Sequence, residues 1–193
     1  MTIYVKIRHM NSFYSSSELS EIGFKAVGKN VLVSRKCSIY NAEQIILGDN
    51  VRIDDFCLLT GNIKIGSYVH ISAFSALYGA GGIIIGNYCG LSPRSIIFSA
   101  TDDFSGESMI SPMVPEELTN VKKETVFMED FSQLGASTVV MPGVSIKEGA
   151  VTGINTLVKD NLEEWTINAG TPAHKLKNRE KKAKELLERI NYV

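Results

Sequence analysis

The residues best suited to move a proton in this sequence are His70 and two adjacent carboxylates, Asp102 and Asp103. An unperturbed imidazole titrates near neutral pH, so His70 can take a proton from an attacking nucleophile and return it later. Asp102 and Asp103 lie within FSATDDFSGES, residues 98–108. Either kind of group can act as a general base, the imidazole for a hydroxyl and the carboxylate for an amine.

The chain has two other histidines, and neither is a strong candidate for a base. His9 lies outside the repeat described below, and His174 stands in the basic stretch TPAHKLKN. His70 directly precedes an aliphatic residue expected to point inward, so strand alternation points the imidazole outward. A histidine that only contacts a neighbouring subunit remains the alternative interpretation.

The carboxylates lie in a segment of 27 residues, 99–125, where the regular pattern of the chain stops. A loop of this length is uncommon in a compact domain and is usually functional. Ser105 and Glu107, on either side of a glycine, are therefore candidates for contacts with a substrate. The alternative is a loop held by its own hydrogen bonds, because Asp and Ser are good turn formers.

On both sides of this segment a large aliphatic residue recurs every six positions. The series is Val27, Val33, Ile39, Leu47, Ile53, Leu59, Ile65, Ile71, Leu77, Ile85, Leu91, Ile97, Met128, Leu134, Val140 and Ile146, ending with Thr152 and Val158. A period of six fits neither a helix nor a simple strand. It predicts short strands joined by corners, three to a triangular coil of 18 residues, with about seven coils stacked at roughly 4.8 Å.

Two steps of the series are eight residues long, and the second contains the glycine-rich stretch ALYGAGG, residues 76–82. A bulge at a corner of the coil is the simpler interpretation. In the functional alternative this stretch borders a substrate pocket beneath the long loop, with Tyr78 as the candidate contact. Cys37, Cys57 and Cys89 all occupy one slot of the repeat, four positions after a series residue, which predicts small buried side chains.

The chain divides into three parts. Residues 1–26 form an N-terminal segment in which Ser15 and Glu18 match a capping box and predict a short helix. Residues 27–172 form the repeat domain with its loop at 99–125. Residues 173–193 form a C-terminal amphipathic helix.

Four stretches resemble the hexapeptide-repeat acyltransferases: ILGDNVRIDDFCLLTG, IIIGNYCGLS, LGASTVVMPGVSIKEGA and WTINAGTPAHKLKNR. The resemblance implies an all-β solenoid wound as a left-handed parallel β-helix, a homotrimer with active sites between chains, and acetyl-CoA as co-substrate. TDDFSGES together with VHISA is similar to enzymes that acylate sugars for surface polysaccharides (O-antigen and lipopolysaccharide), including nucleotide-linked 4-amino-4,6-dideoxy sugars. The expected function is acetyl transfer to an amino or hydroxyl group of such a sugar, with a galactoside-like hydroxyl acceptor as the alternative.

The resemblance leaves two mechanisms open. Relatives with a hydroxyl acceptor carry a histidine just past the last repeat before the loop, and Asp102 occupies the matching position here. In one mechanism His70 of one subunit is the base, oriented by Asp102 or Asp103 of the next subunit. In the other the acceptor is an amine, and one of these carboxylates takes its proton or holds the ammonium group.

The resemblance also implies a coenzyme site along the upper coils. Two glycine–small pairs would contact the pantetheine arm, and a Gly-Thr-Pro turn with basic neighbours would hold the adenine and the 3′-phosphate. The corresponding residues are Gly135, Ala136, Gly153, Ile154, Lys159, Pro172, His174 and Lys177. Ile154 and Lys159 depart from the alanine and threonine usual in the family.

Composition limits the other classes of function. The net charge is −1, so the sequence predicts no nucleic-acid partner, and no apolar run approaches the roughly 18 residues that span a bilayer. The unpaired cysteines suit a reducing compartment and predict a cytoplasmic protein. The three histidines lack the spacing of a metal-binding carbonic anhydrase of this fold, so no metal is expected, and a non-catalytic trimeric scaffold remains the rival outside enzymes.

Overall fold

The computed structural model describes residues 12–190, so His9 and the first residues of the N-terminal segment lie outside the described part of the chain. Residues 16–22 form the predicted short helix, Ser16–Ile22. Ser15 caps it with the expected box, because the Ser15 hydroxyl accepts from the backbone N–H of Glu18 and the Glu18 carboxylate accepts from that of Ser15. Among the described residues no helix is long and apolar enough to cross a membrane.

About seven coils follow, each with up to three short strands that pair in parallel with the coils below and above. The chain is therefore an all-β solenoid, the left-handed parallel β-helix of the prediction. We name its three sides by their strands. The first face consists of Ala26–Val27, Ile45–Leu47, the second halves of Leu58–Ile65 and Ala76–Ile85, Val126–Met128 and Ser145–Ile146.

The second face carries His70 and several small residues at its edge. Its strands are Leu32–Val33, Arg52–Ile53, His70–Ile71, Gly90–Leu91, Gln133–Leu134, Val151–Thr152 and Thr166–Ala169, with His174–Asn178 added antiparallel at the top. The third face consists of Ser38–Tyr40, the first halves of Leu58–Ile65 and Ala76–Ile85, Ile96–Phe98, Val139–Val140 and Leu157–Val158.

The predicted aliphatic series forms the core. Ile53, Ile71 and Leu77 are completely buried, each stacked between equivalent residues of neighbouring coils. Two members are less buried: Ile39 is only partly buried, and Val27 has 37% of its surface exposed. It lies in the first coil, so no further coil covers it from below.

Aromatic side chains stack along the corner between the first and second faces. Tyr68, Tyr88, Phe131 and Trp165 lie one above the other with ring centroids 4.9, 5.2 and 5.9 Å apart. All four have positive φ, between 51° and 63°, a conformation that is costly for residues other than glycine. The stacking contacts offset that cost and hold the corner in line from coil to coil.

Every irregular step of the series lies at the corner between the third and first faces. The step from Ile39 to Leu47 contains a 3-10 helix, Ala42–Gln44. In ALYGAGG the strand Ala76–Ile85 runs on, but its register against Leu58–Ile65 shifts by two residues, so the predicted bulge is confirmed. The long loop leaves at this same corner, after Phe98.

The long loop contains regular elements, and the C-terminal helix is shorter than predicted. The loop is not without regular structure, because Ala100–Thr101 pairs antiparallel with Lys122–Lys123 at its base and Glu116–Leu118 forms a 3-10 helix. The C-terminal helix begins at Lys182, not near residue 173, and extends to Ile190. Residues His174–Asn178 form a strand because the top edge of the second face offers them free backbone partners.

Candidate active site

A column of small residues runs up the end of the second face. Leu91 pairs with Leu134, and Val151–Thr152 pairs with Ile167–Asn168, so Ser92, Gly135, Gly153 and Ala169 follow one another from coil to coil. A Cβ on Gly135 would collide with the backbone of Gly153, so only glycine fits there. Ala169 pairs with His174 at the top. At the usual strand spacing this column is about 19 Å long.

At the lower end of this column His70 is held by a carboxylate of its own chain. The Nε2 atom of His70 lies 2.7 Å from Oδ2 of Asp54, one coil below, and the Nε–H of Arg52 donates to the other Asp54 oxygen at 2.7 Å. An ionised carboxylate only accepts hydrogen bonds, so Nε2 carries the proton and Nδ1 of a neutral imidazole is the acceptor. Asp54 of the same chain therefore already orients His70, and the contact of His70 with Asp102 or Asp103 of another subunit stays a prediction.

The carboxyl of Asp54 is ionised at neutral pH. Its partial burial raises its pKa, but the hydrogen bonds from Arg52 and His70 outweigh burial and leave the pKa below its usual value. The imidazole itself is half exposed. It faces a cavity of about 330 Å³ that is also lined by Tyr68, Tyr88, Ser92 and Gln133.

Asp102 lies elsewhere, at the base of the long loop beyond the third face. It borders a second cavity, of about 270 Å³, with Phe98, Ala100, Phe104 and Met141. Among the described residues no hydrogen bond or ion pair reaches the Asp102 carboxylate. It is therefore available to a ligand.

Asp103, one residue later, is already engaged. Its carboxylate accepts from the backbone N–H of Ser105 at 2.9 Å and from Nδ2 of Asn120 at 3.0 Å, and these hydrogen bonds lower its pKa to about 2. The Ser105 hydroxyl in turn accepts from the backbone N–H of Glu107. The alternative interpretation of this segment was a loop held by its own hydrogen bonds. These contacts are hydrogen bonds of that kind, and they hold the loop in its conformation.

The glycine-rich bulge seats both ends of the loop. The Ser99 hydroxyl donates to the carbonyl of Tyr78 and accepts from the N–H of Gly81, while the Thr125 hydroxyl donates to the carbonyl of Gly81. A Cβ on Gly81 would lie 2.7 Å from the backbone nitrogen of Glu124 and would also collide with the carbonyl of Ser99. The bulge thus fixes where Asp102 emerges.

Tyr78 occupies the outer surface beside this seat. Its ring stacks on that of Phe98 in the coil above, with centroids 5.1 Å apart and planes 8° from parallel. Tyr78 is 39% exposed, so one side of the stacked pair is open to a ligand.

The residues assigned to a coenzyme lie in three places. Gly135, Gly153 and His174 belong to the column, with Ile154 strongly exposed beside it and Lys177 exposed on the same top strand. The segment that contains Pro172 lies at the adjoining corner, where the Leu157 N–H donates to the carbonyl of Gly170. Lys159, in contrast, follows a third-face strand and lies 3.5 Å from Asp160, away from the column.

The cysteines contribute no reactive thiolate. Cys57 and Cys89 are buried, and burial raises the pKa of each thiol to about 11. All three cysteines are free thiols, and the predicted burial is confirmed for Cys57 and Cys89, whereas Cys37 is only partly buried. Within the described part of the chain no group of three or more His, Cys, Asp or Glu residues is arranged to hold a metal ion.

Two residues of the His70 cavity were missed in the sequence. Asp54 follows an inward residue one coil below His70, and Ser92 follows Leu91 just as Gly135 follows Leu134. Comparing outward positions coil by coil would have found both. Within one chain the His70 cavity lies on the second face and Asp102 lies beyond the third, so the structure does not bring them together.

The fold is that of the hexapeptide-repeat proteins: a β-helix prism with a column of small residues and a long loop. Comparison with known proteins shows which members of this class the chain resembles. No protein-family model matches the chain. Over 178 residues it is 40% identical to a dTDP-4-amino-4,6-dideoxy-D-glucose acyltransferase from Escherichia coli, covering 91% of this chain and 93% of the relative.

Solved structures agree with this comparison. AntD, an N-acyltransferase from Bacillus cereus, was crystallised with dTDP-4-amino-4,6-dideoxyglucose and coenzyme A; it is 45% identical, with a TM-score of 0.92 over 95% of this chain and 99% of AntD. A maltose O-acetyltransferase from Clostridium difficile, 18% identical with a TM-score of 0.55, covers 86% of this chain and 75% of its own and shares the fold. The chain belongs to the hexapeptide-repeat acyltransferases and is an acyltransferase.

Proposed function

We propose that this enzyme transfers the acyl group of acyl-CoA, such as acetyl-CoA, to the amine of a nucleotide-linked 4-amino-4,6-dideoxy sugar. The column from Ser92 to His174, which leads from the His70 cavity to the top of the prism, is the observation that carries the proposal. It offers a narrow path, without side chains at Gly135 and Gly153, for the extended arm of coenzyme A. The matching E. coli and B. cereus enzymes act on or bind such a sugar.

The coenzyme in this proposal lies along the second face. Its arm contacts Gly135, Ala136, Gly153 and Ile154, and its adenine end lies near Pro172. The exposed Lys177 at the top of the face neutralises the 3′-phosphate, and the exposed His174 donates a hydrogen bond to it. Lys159 is a weaker candidate, because it lies on another face.

The site is completed by a second copy of the chain in a homotrimer. The loop exposes large apolar side chains that its own chain does not cover: Phe104, Met109, Ile110, Met113, Leu118 and Val121. Clusters of this kind mark interaction surfaces. The loop of one chain would bring Asp102 to the His70 cavity of the next, and residues 27–172 would form the catalytic unit.

In the reaction the amine nitrogen attacks the thioester carbon, the new C–N bond forms, and the C–S bond breaks. Asp102 holds the ammonium group, takes its proton and so frees the nitrogen lone pair. The thiolate of coenzyme A leaves and is protonated. Ser92 and His70, fixed by Asp54, contact the acceptor from the facing chain, while Tyr78, with Ser105 and Glu107 of the loop, lines its outer side.

The crystallised variants of AntD support the pairing of Ser92 with Asp102. They include substitutions of one serine and of one aspartate, ten positions apart in that chain. In this sequence Ser92 is the only serine that has an aspartate, Asp102, ten positions later.

A second candidate is transfer to a sugar hydroxyl with His70 as the base. The Asp54–His70 hydrogen bond favours it, because a carboxylate that holds Nε2 orients the ring and leaves Nδ1 available to accept the hydroxyl proton. In both cases we place the reaction in the cytoplasm, in surface-polysaccharide synthesis. The free thiols fit a reducing compartment.

The test measures thiol release with acetyl-CoA and two acceptors, dTDP-4-amino-4,6-dideoxyglucose and its 4-hydroxy counterpart. We expect turnover only with the amine. Asp102→Asn should lower kcat by about 100- to 1000-fold, whereas the matched control Asp103→Asn should change it less than tenfold. Turnover of the hydroxyl sugar that depends on His70 would favour the second candidate, and no stabilisation by coenzyme A would favour a scaffold.

A further inference from the structure

The cavity beside Asp102 is lined mainly by apolar side chains. Its walls are Phe98, Ala100, Phe104, Met141 and the stem of Thr101. We propose that it is the subsite for the acyl chain, that it accommodates chains longer than acetyl, and that Met141 sets the preferred length. The inference rests on the proposed function, in which Asp102 holds the attacking amine.

The cavity lies beside the atoms that react in the proposed mechanism. The amine held by Asp102 must contact the carbonyl carbon of the thioester. The rest of the acyl group is attached to that same carbon, so it extends into the space nearest Asp102. In this structure that space is the cavity of about 270 Å³.

The chemistry of the walls decides between an acyl chain and part of the sugar. Phe98, Ala100, Phe104 and Met141 offer no side-chain donor, and the Thr101 hydroxyl already donates to the carbonyl of Asp102 at 3.2 Å. Sugar hydroxyls placed here would lose water without gaining partners, which is unfavourable. The methylenes of an acyl chain need no partners, and their burial is favourable.

The cavity has one rigid wall and one adaptable wall. Phe98 is fixed by its parallel stack on Tyr78. Met141 lies one coil higher and is half-buried against the core, and its unbranched side chain can take several conformations. A substitution at Met141 should therefore change the depth of the cavity without disturbing Asp102.

The experiment compares kcat/KM for acetyl-, propionyl-, butyryl- and hexanoyl-CoA at a saturating concentration of the amino sugar. For the native enzyme we expect kcat/KM to rise about fourfold per methylene, reaching about 15-fold from acetyl to butyryl. Met141→Trp should bring the butyryl-to-acetyl ratio to about one or below, because it fills the cavity. Met141→Ala should move the optimum to a longer chain.

Each ratio is measured within one enzyme, so partial loss of folded protein cancels. The control is Ile84→Trp, at an exposed position on the first face that does not line this cavity, and it should keep the native profile. If both Met141 variants kept the native ratios while KM for the sugar rose, the cavity would hold the sugar and this inference alone would fail. A native enzyme that turned over no CoA thioester would overturn the proposed function as well.

Discussion

Two neighbouring aspartates in the same loop have different environments, and the difference suggests different roles. Asp103 is saturated by hydrogen bonds within the loop, so its ionised form is strongly favoured and it is a poor proton acceptor. Asp102 faces an apolar cavity with its carboxylate available. Only Asp102 has the freedom that an acid–base group needs.

The Asp103 carboxyl should titrate with a pKa of about 2 in the folded protein. NMR of the side-chain carbonyl carbon over a pH series measures this directly. Asn120→Ala removes one donor and should raise the pKa toward its ordinary value of about 3.9, whereas Glu107→Gln, elsewhere in the loop, should leave it unchanged. A value near 4 in the native protein would contradict the hydrogen bonds that we describe.

The sign of the pH effect follows from that lowered pKa. A group whose pKa is lower folded than unfolded stabilises the protein above its unfolded value. The contribution of Asp103 to holding the loop is therefore fully present above about pH 4. It is lost as the pH falls through about 2.

At the level of elements, the added residues of the repeat are confined to one corner of the prism. The 3-10 helix Ala42–Gln44, the glycine bulge and the long loop all lie between the third and first faces. The corner between the first and second faces is tied by the stacked aromatics, so an insertion there would break the stack. The long loop, with Asp102 at its base, leaves the prism at this same corner of inserted residues.

Gly81→Val tests whether the glycine-rich bulge holds the long loop in position. The new side chain would collide with Ser99 and Glu124, so we expect a loss of about 1–3 kcal/mol in the free energy of unfolding. Displacing Asp102 by even 1 Å should lower kcat by about 100-fold. Urea denaturation and steady-state kinetics measure the two effects.

Ala80→Ser, at the neighbouring exposed position, is the matched control and should behave as the native enzyme. Native kcat in Gly81→Val would show that the bulge does not position the loop.

At the level of the whole molecule, the proposed site is divided between separate copies of the chain. Ser92 and the coenzyme column lie on the second face, and Asp102 lies beyond the third. One copy cannot bring these groups together, because the packed coils between them cannot bend. The exposed apolar loop gives the second copy a surface to cover.

Subunit mixing tests this division. The Ser92→Ala and Asp102→Asn enzymes should each have little activity. If they are unfolded and reassembled together at equal concentration, about a quarter of the sites should combine a native Ser92 with a native Asp102 from the adjacent chain. Recovery of about a quarter of native activity is expected, and no recovery would place both residues in a site within one chain.

The sequence by itself determined the prism. A large aliphatic residue every sixth position can be buried only if the chain turns a corner every six residues, so the coils, the core and the cysteine slots follow from local spacing. The bulge at ALYGAGG and the break at 99–125 could also be located in this way. In contrast, Gly135 and Gly153 were assigned to the coenzyme site only through the family resemblance, and not from the spacing of residues.

Tertiary structure alone decided the partners of the polar groups. Asp54 and His70 are 16 positions apart, and Asp103 and Asn120 are 17 apart, yet each pair is in hydrogen-bonding contact. Contacts of this range depend on how adjacent coils align and on how the loop closes, which no local pattern specifies. For the same reason the sequence predicted two equivalent carboxylates, whereas the folded chain engages Asp103 and leaves Asp102 available.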